Sequence, residues 1–238
     1  MTLLIMTDVT DTSSPLHFNG CVFDNTNMLG LIKIRSNVVS IRLYSPPIGS
    51  KAMIYFNNSV FTNCIASTAS SCIYAIDNGV QGEVLHIYIN NITAHNNFKT
   101  EKFGNTRAEL IKVDNAKELH INGFNNFSCN FGTAFDIRNT IIYLNGQLHI
   151  SDNNGYMGTG FKVQGLSYFL LSNGLNATFI NNTALSIGGA IYAIADDDFH
   201  KCMFQNNTEN ITNITMTFIN NTAAEAGSSI YSNNLDQS

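Results

Sequence analysis

Charge is what this chain has least of. Asp, Glu, Lys and Arg make up 12% of its 238 residues, about half the ~25% usual in a soluble domain. With a net charge of −5 and no basic cluster, nucleic acid is excluded as an expected partner. No apolar run approaches the ~20 residues that a membrane-spanning helix needs. The opening "MTLLIMTDV" lacks a basic n-region and is too short in apolar residues for a signal peptide. The expectation is therefore an internal piece of a longer protein. Five cysteines (Cys21, Cys64, Cys72, Cys129, Cys202) show no C-x-x-C spacing, which argues against a zinc or redox motif.

Asparagine takes the place of charge, with 34 residues. Five of them fall in a repeated phrase. "FINNTALSIGGAIYA" (179–193) returns as "FINNTAAEAGSSIYS" (218–232), and an older copy, "FTNCIASTASSCIYA", lies at 61–75. A repeat of this length is the signature of stacked architectures.

Seven short segments alternate apolar and polar residues and end in Asn, Asp or Gly, as strands running into turns do. Their leading residues are Ile32, Ile73, Ile111, Phe135, Phe161, Ile191 and Ile230. A second family precedes the first, at 16–20, 85–91, 119–126, 148–154, 177–183 and 216–222. Further strands, at 39–45, 141–144 and 167–172, belong to some units only. Units of 25 to 40 residues without an amphipathic helix predict an all-β parallel β-helix (β-solenoid) of about seven coils. Each coil hides its apolar face against the next. The whole of 1–238 reads as one such domain, with 1–15 disordered or an incomplete first coil.

Several consequences follow. The seven leading residues form one inward column. The next, outward slot reads Lys33, Tyr74, Lys112, Asp136, Lys162, Tyr192 and Tyr231, which sets Asp136 between two lysines as an exposed pair. The word L-H-[IF] places His17, His86, His120 and His149 in one outward column, continued by Thr178 and Thr217. A tolerant column is the favoured reading there over a metal-binding ladder. In each "FINNT" the second asparagine, Asn182 or Asn221, turns inward to bond backbone, while the first, Asn181 or Asn220, faces solvent. Gly188 and Gly189 permit the corner before the next strand. Cys64 and Cys72 flank a turn and are expected as separate thiols rather than a disulfide, with Cys72 on the outer side or at the corner. Nine N-x-[ST] sequons begin at Asn57, Asn91, Asn126, Asn176, Asn181, Asn206, Asn210, Asn213 and Asn220, acceptors for N-glycans in a secreted context.

The motif residues Phe179, Asn182, Gly188, Gly189, Ile191, Phe218, Asn221 and Ile230 resemble the G-G-A-[ILV] and F-x-x-N repeats of chlamydial polymorphic outer membrane proteins. Related repeats occur in eukaryotic surface proteins of the pectin-lyase-like superfamily, and the resemblance implies a right-handed parallel β-helix. "GGAI" (188–191) is a full match, and F-x-x-N occurs at 127–130, 179–182, 204–207 and 218–221. The resemblance implies a non-enzymatic extracellular or cell-surface protein serving adhesion, display or spacing. Its partners would be glycans, other surface proteins or neighbouring coils of a longer chain, and it would need no cofactor or metal.

The alternatives are a carbohydrate-active β-helix enzyme and a glycan-binding module without catalysis. The polygalacturonase-like set N-T-D, G-H-G and R-x-K is missing from the sequence, and its one Asp cluster, Asp196 to Asp198, reads as a solvated loop. An exposed aromatic row flanked by amides would favour the binding module; Tyr74, Tyr192 and Tyr231 share one slot, but ordinary stacking on a strand face is the favoured reading for them.

Overall fold

The computed structural model describes residues 5–9, 15–24, 39–43, 51–64, 70–78, 84–97, 109–196, 202–206 and 213–233. Every regular element among them is a β-strand, and the strands come in a cycle. β1 (Ile5–Val9), β2 (Leu16–Asn19) and β3 (Val22–Asp24) make the first coil. β4 (Val39–Leu43), β5 (Ala52–Asn57) and β6 (Val60–Thr62) make the second, and β7 (Ser70–Asp77), β8 (Leu85–Asn90) and β9 (Thr93–His95) the third. The fourth holds β10 (Glu109–Asp114), β11 (Glu118–Asn122) and β12 (Phe124–Ser128). From the fifth on, a two-residue strand is added. That coil comprises β13 (Thr133–Arg138), β14 (Ile141–Leu144), β15 (Gln147–Ser151) and β16 (Asn154–Gly155). The sixth comprises β17 (Phe161–Gly165), β18 (Tyr168–Leu171), β19 (Asn176–Ile180) and β20 (Thr183–Ala184). The seventh comprises β21 (Ile191–Ala195), β22 (Phe204–Asn206), β23 (Thr215–Ile219) and β24 (Thr222–Ala223), and β25 (Ile230–Asn233) starts another turn.

Each strand pairs in parallel with its counterpart one coil away. The result is an eight-stranded sheet A from β1 to β25, seven-stranded sheets B and C, and a three-stranded sheet D. This is a parallel β-helix of about seven coils.

The inward column on sheet A runs through Val39, Ile73, Ile111, Phe135, Phe161, Ile191 and Ile230, each paired with the next. The register thus matches the sequence expectation from Ile73 onward. Its first member, Ile32, lies outside the described residues, as does Lys33. The strand that pairs with Ile73 starts at Val39, in a segment the sequence reading assigned to an occasional third strand. Ile5–Val9, inside the stretch expected to be disordered or incomplete, pairs with Val39–Leu43 as β1. Inside the helix, equal rings stack on equal rings: Phe18 on Phe56 at 4.8 Å, Phe23 on Phe61 at 4.7 Å and Phe179 on Phe218 at 4.9 Å. A buried Phe contributes ~1.5–3 kcal/mol through area alone, so these stacks are a main source of stability.

Cys72 departs from expectation. It is fully buried in the core, one residue before Ile73. Its counterparts Leu110, Ala134 and Ala190 are buried too. Cys72 lies within β7 and not at a corner, beside a register shift in the pairing of β7 with β10 between Glu109 and Ile111. The cysteines form no disulfide, as expected for Cys64 and Cys72.

Candidate functional site

The corners are built from asparagine. Asn97, Asn130, Asn153, Asn182 and Asn221 are buried in one file. In this file the Nδ2 of each donates to the Oδ1 of the next at 2.9 to 3.1 Å. The backbone N–H of each of the first four donates to the same oxygen. Every Nδ2 also reaches back to a strand carbonyl: Phe61, Ala94, Phe127, Ile150 and Phe179 respectively. Cys64 starts the file. Its backbone N–H donates to Asn97 Oδ1 and its Sγ faces the Phe23 carbonyl, where an asparagine would put its amide.

The residue before each member has a left-handed backbone: Asn63, Asn96, Cys129, Asp152, Asn181 and Asn220, with φ between 51° and 55°. Asn and Asp tolerate that conformation best among residues with a side chain. The double asparagine is thereby explained: the first turns the chain and is exposed, the second bonds and is buried. Gly188 (φ 66°) is likewise left-handed, and a Cβ on it would sit 2.5 Å from the Ile191 carbonyl oxygen. Gly189 is not left-handed. It is required because a Cβ there would collide with the Ser228 carbonyl.

The F-x-x-N reading fails at 204–207. Phe204 belongs to sheet B, where it stacks on Phe169 at 5.2 Å, and Asn207 lies outside the described residues.

The histidines do not share a column. The word L-H-I is used on two different sheets, and the β8 copy sits two residues out of step with the β2 copy. Leu16 pairs with Ile54 and Ile54 with Ile87, so His86 follows Met53. His149 lies on sheet C, bonded to Thr178 Oγ1 at 2.7 Å. His17 and His120 do share a slot, with Tyr55, Tyr88 and Tyr143.

Those five rings form one stack on the outer face of sheet B. Successive centroids from His17 to Tyr143 are 4.7, 4.5, 4.6 and 4.3 Å apart, with planes within 12°. Beside it runs an outer column of four asparagines, Asn19, Asn57, Asn90 and Asn122, with Asn90 Nδ2 donating to Asn57 Oδ1. On the other side, Glu118 Oε2 accepts from both His86 Nδ1 at 2.9 Å and His120 Nε2 at 3.0 Å. Burial holds the His86 pKa below its ordinary value, although Glu118 opposes this. Burial alone would raise the Glu118 carboxyl, but the two imidazoles outweigh it and hold it low. Burial within the stack pushes the Tyr88 and Tyr143 phenols up. The aromatic row flanked by amides therefore exists, but on sheet B. Of the three tyrosines that share a slot on sheet A, Tyr192 is buried and stacks on Tyr231 at 5.7 Å, as ordinary strand-face stacking predicts, while Tyr74 lies under the Arg42 guanidinium. No group of three His, Cys, Asp or Glu among the described residues could hold a metal.

On sheet A, Asp136 lies between Lys112 and Lys162, as the repeat predicts, at 3.8 and 2.8 Å. The pair with Lys162 is not exposed, however: Asp136 is 3% and Lys162 7% accessible. Burial pulls the Lys112 ammonium down, but Asp114, Asp136 and Glu109 outweigh it and its pKa is raised. Burial raises the Asp114 carboxyl.

Among the sequons, Asn91, Asn176, Asn181, Asn206, Asn213 and Asn220 are exposed. Asn57 and Asn126 are half-buried on strand faces, and Asn210 lies outside the described residues. Asp196 is exposed; Asp197 and Asp198 lie outside the described residues.

Chain order, register and these ladders define the class: a parallel β-helix repeat protein. No family model, curated protein or solved structure matches it. No helix among the described residues is long and apolar enough to cross a membrane.

Proposed function

We propose that this β-helix is a non-catalytic, extracellular or cell-surface protein that works by adhesion or display, with neutral glycans as its main partner class. We assign its repeats to the G-G-A-I / F-x-x-N type of the polymorphic outer membrane proteins and to a right-handed, pectin-lyase-like helix. The observation that carries the reading is the outer face of sheet B. There the same hydrogen-bonding group recurs coil after coil at the strand spacing of about 4.8 Å, four amides in one column and five ring edges in the next. A partner that is itself a repeating, uncharged, hydroxyl-rich polymer can meet such a face at many points, and weak contacts then add as avidity. The ring faces are taken up in stacking on one another, so contact is made by phenol, imidazole and amide groups rather than by sugar rings lying on aromatic faces.

Affinity electrophoresis in gels containing neutral polysaccharides tests the reading. The native chain is retarded, and a chain with Asn57→Ala and Asn90→Ala loses most of the retardation. Equal mobility with and without polysaccharide, across a panel of polymers, would overturn the glycan assignment. Release of reducing ends from polygalacturonate or a neutral polysaccharide would overturn the non-catalytic one.

A further inference from the structure

The outer face of sheet B has a direction and a length. Its ring column and its amide column lie two residues apart on every strand, about 6.6 Å. Both run across the strands, along the axis of the solenoid. Coil five keeps the pattern: Tyr143 holds the ring slot, and Asn145 extends the amide column just past β14, its backbone N–H donating to the Ile121 carbonyl. Coil six breaks it. Leu170 pairs with Tyr143, and Ser172, whose N–H donates to the Leu144 carbonyl, takes the amide slot. Gln205 follows Leu170 in coil seven. Five successive coils among the described residues therefore present one ring edge and one amide each.

The ring column is also straight. Successive planes differ by no more than 12°, so each edge points nearly the same way as its neighbour. A ligand held once per coil must advance by about 4.8 Å per unit and keep one edge turned to the sheet. An extended β-1,4-linked pyranose chain meets both demands. Each sugar advances by close to one coil spacing and is turned by half a revolution from the last, so a secondary hydroxyl and a hydroxymethyl alternate along one edge. Phenol, imidazole and amide all donate and accept, and so suit either group. An α-1,4-linked glucan winds, and its edge leaves a straight column within a few sugars. At one margin of the face, Glu118 shares its Oε2 between His86 and His120, and the two imidazoles hold its carboxyl low. That standing negative charge disfavours a uronate.

We infer that the outer face of sheet B is a row of five subsites for a neutral, extended β-1,4-linked polysaccharide, laid along the solenoid axis with one sugar per coil. The inference rests on the glycan assignment above and adds linkage, direction and length to it.

Isothermal titration with oligosaccharides of two to six sugars is the test, with β-1,4-linked gluco-, manno- and N-acetylglucosamine series beside the α-1,4-linked malto series. In at least one β-1,4 series the Kd should fall by about 10²-fold between two and five sugars and level off at six. The malto series should bind weakly and show no such climb. Leu170→Tyr, at a half-buried outward position next to Tyr143, adds a ring edge in coil six and should move the plateau from five sugars to six. Malto-oligosaccharides binding as well as the β-1,4 series would overturn the linkage. Affinity independent of length would overturn the axial direction, and an unshifted plateau in the Leu170→Tyr chain would overturn the count of one sugar per coil. If neutral polysaccharides retard the chain in gels while no β-1,4 oligosaccharide binds, this inference fails and the glycan assignment stands. Failure of oligosaccharides and polymers alike would overturn both.

Discussion

Adjacent asparagines with opposite duties are the clearest lesson at the scale of single residues. Asn182→Ala removes the oxygen that accepts from the backbone and side-chain amides of Asn153 and strips the Ile150 carbonyl of its donor. Each buried group left unsatisfied costs ~1–3 kcal/mol, so a loss of at least ~3 kcal/mol is expected by urea denaturation. Asn181 is exposed, but it is not freely replaceable, because its φ is 54°. Asn181→Gln should cost ~1 kcal/mol from the left-handed backbone, and Asn181→Gly close to nothing. If Gln and Gly at 181 proved equally harmless, the backbone would not be what selects asparagine there. The sequence revealed which asparagine is inward, since only the second recurs in the F-x-x-N at 127–130, where Cys129 takes the place of the first. It concealed that Cys64 and Asn97 belong to the same file. Cysteine is a different residue type, and Asn97 follows an Ala where the other copies have Phe or Ile.

At the scale of strands and columns, period-2 alternation identified faces but not sheets. L-H-I fits any strand with one buried face, so the word could not show that His149 stands on sheet C and His86 one slot from His120. The charged column on sheet A was legible because its members immediately follow the inward residues. Its burial was not, since what lies against a strand face is set by parts of the chain distant in sequence. The consequence is energetic. Asp136→Asn would leave the Lys162 ammonium buried without its counter-ion, a change that costs ~3–5 kcal/mol, whereas an exposed pair would be worth ~0–1 kcal/mol. Thermal melts of Asp136→Asn and of Lys162→Met should differ, the methionine being the milder because Asp136 keeps Lys112.

The sheet-B cluster gives a pH dependence of defined sign. His86 has a folded pKa below its unfolded value of about 6.5, so the unfolded chain binds the proton first as the pH falls. Stability therefore declines on acidification below about 6.5 and stops declining once the folded histidine is protonated. Glu118, also held low, adds a loss in the same direction below about 4.5. The charged neighbours that bear on His86 are Glu118, Lys51 and Lys117. His86→Gln should accordingly flatten the Tm profile across that window while leaving the acid limb due to Glu118. An unchanged slope between pH 5 and 7 would place the titrating group elsewhere.

At the scale of the whole molecule, the stack is quasi-one-dimensional: each coil touches only its neighbours, so coils should be removable as units. Phe161 and Ile191 occupy the same slot one coil apart. Deleting residues 161–190 joins Gly160 to Ile191 and sets Ile191 over Phe135, both inward, with Asn221 following Asn153 in the buried file. The inward slots stay apolar and the asparagine file stays continuous, although the stacks of Phe161 on Phe135, Phe169 on Phe204 and Phe179 on Phe218 are lost, with one amide link and the Asp136–Lys162 pair. The shortened chain should fold cooperatively with a β-type circular dichroism spectrum. Its urea m-value should be about one eighth lower, because m scales with the surface exposed on unfolding. Deleting 161–191 instead, a single residue more, puts Tyr192 in the inward slot. That reverses the faces of the following strand and should prevent the last coil from docking. The comparison isolates register, because the two chains differ by one residue in length and hardly at all in composition. If both deletions unfolded to the same degree, or both folded equally well, stacking of like on like would not be what holds successive coils together.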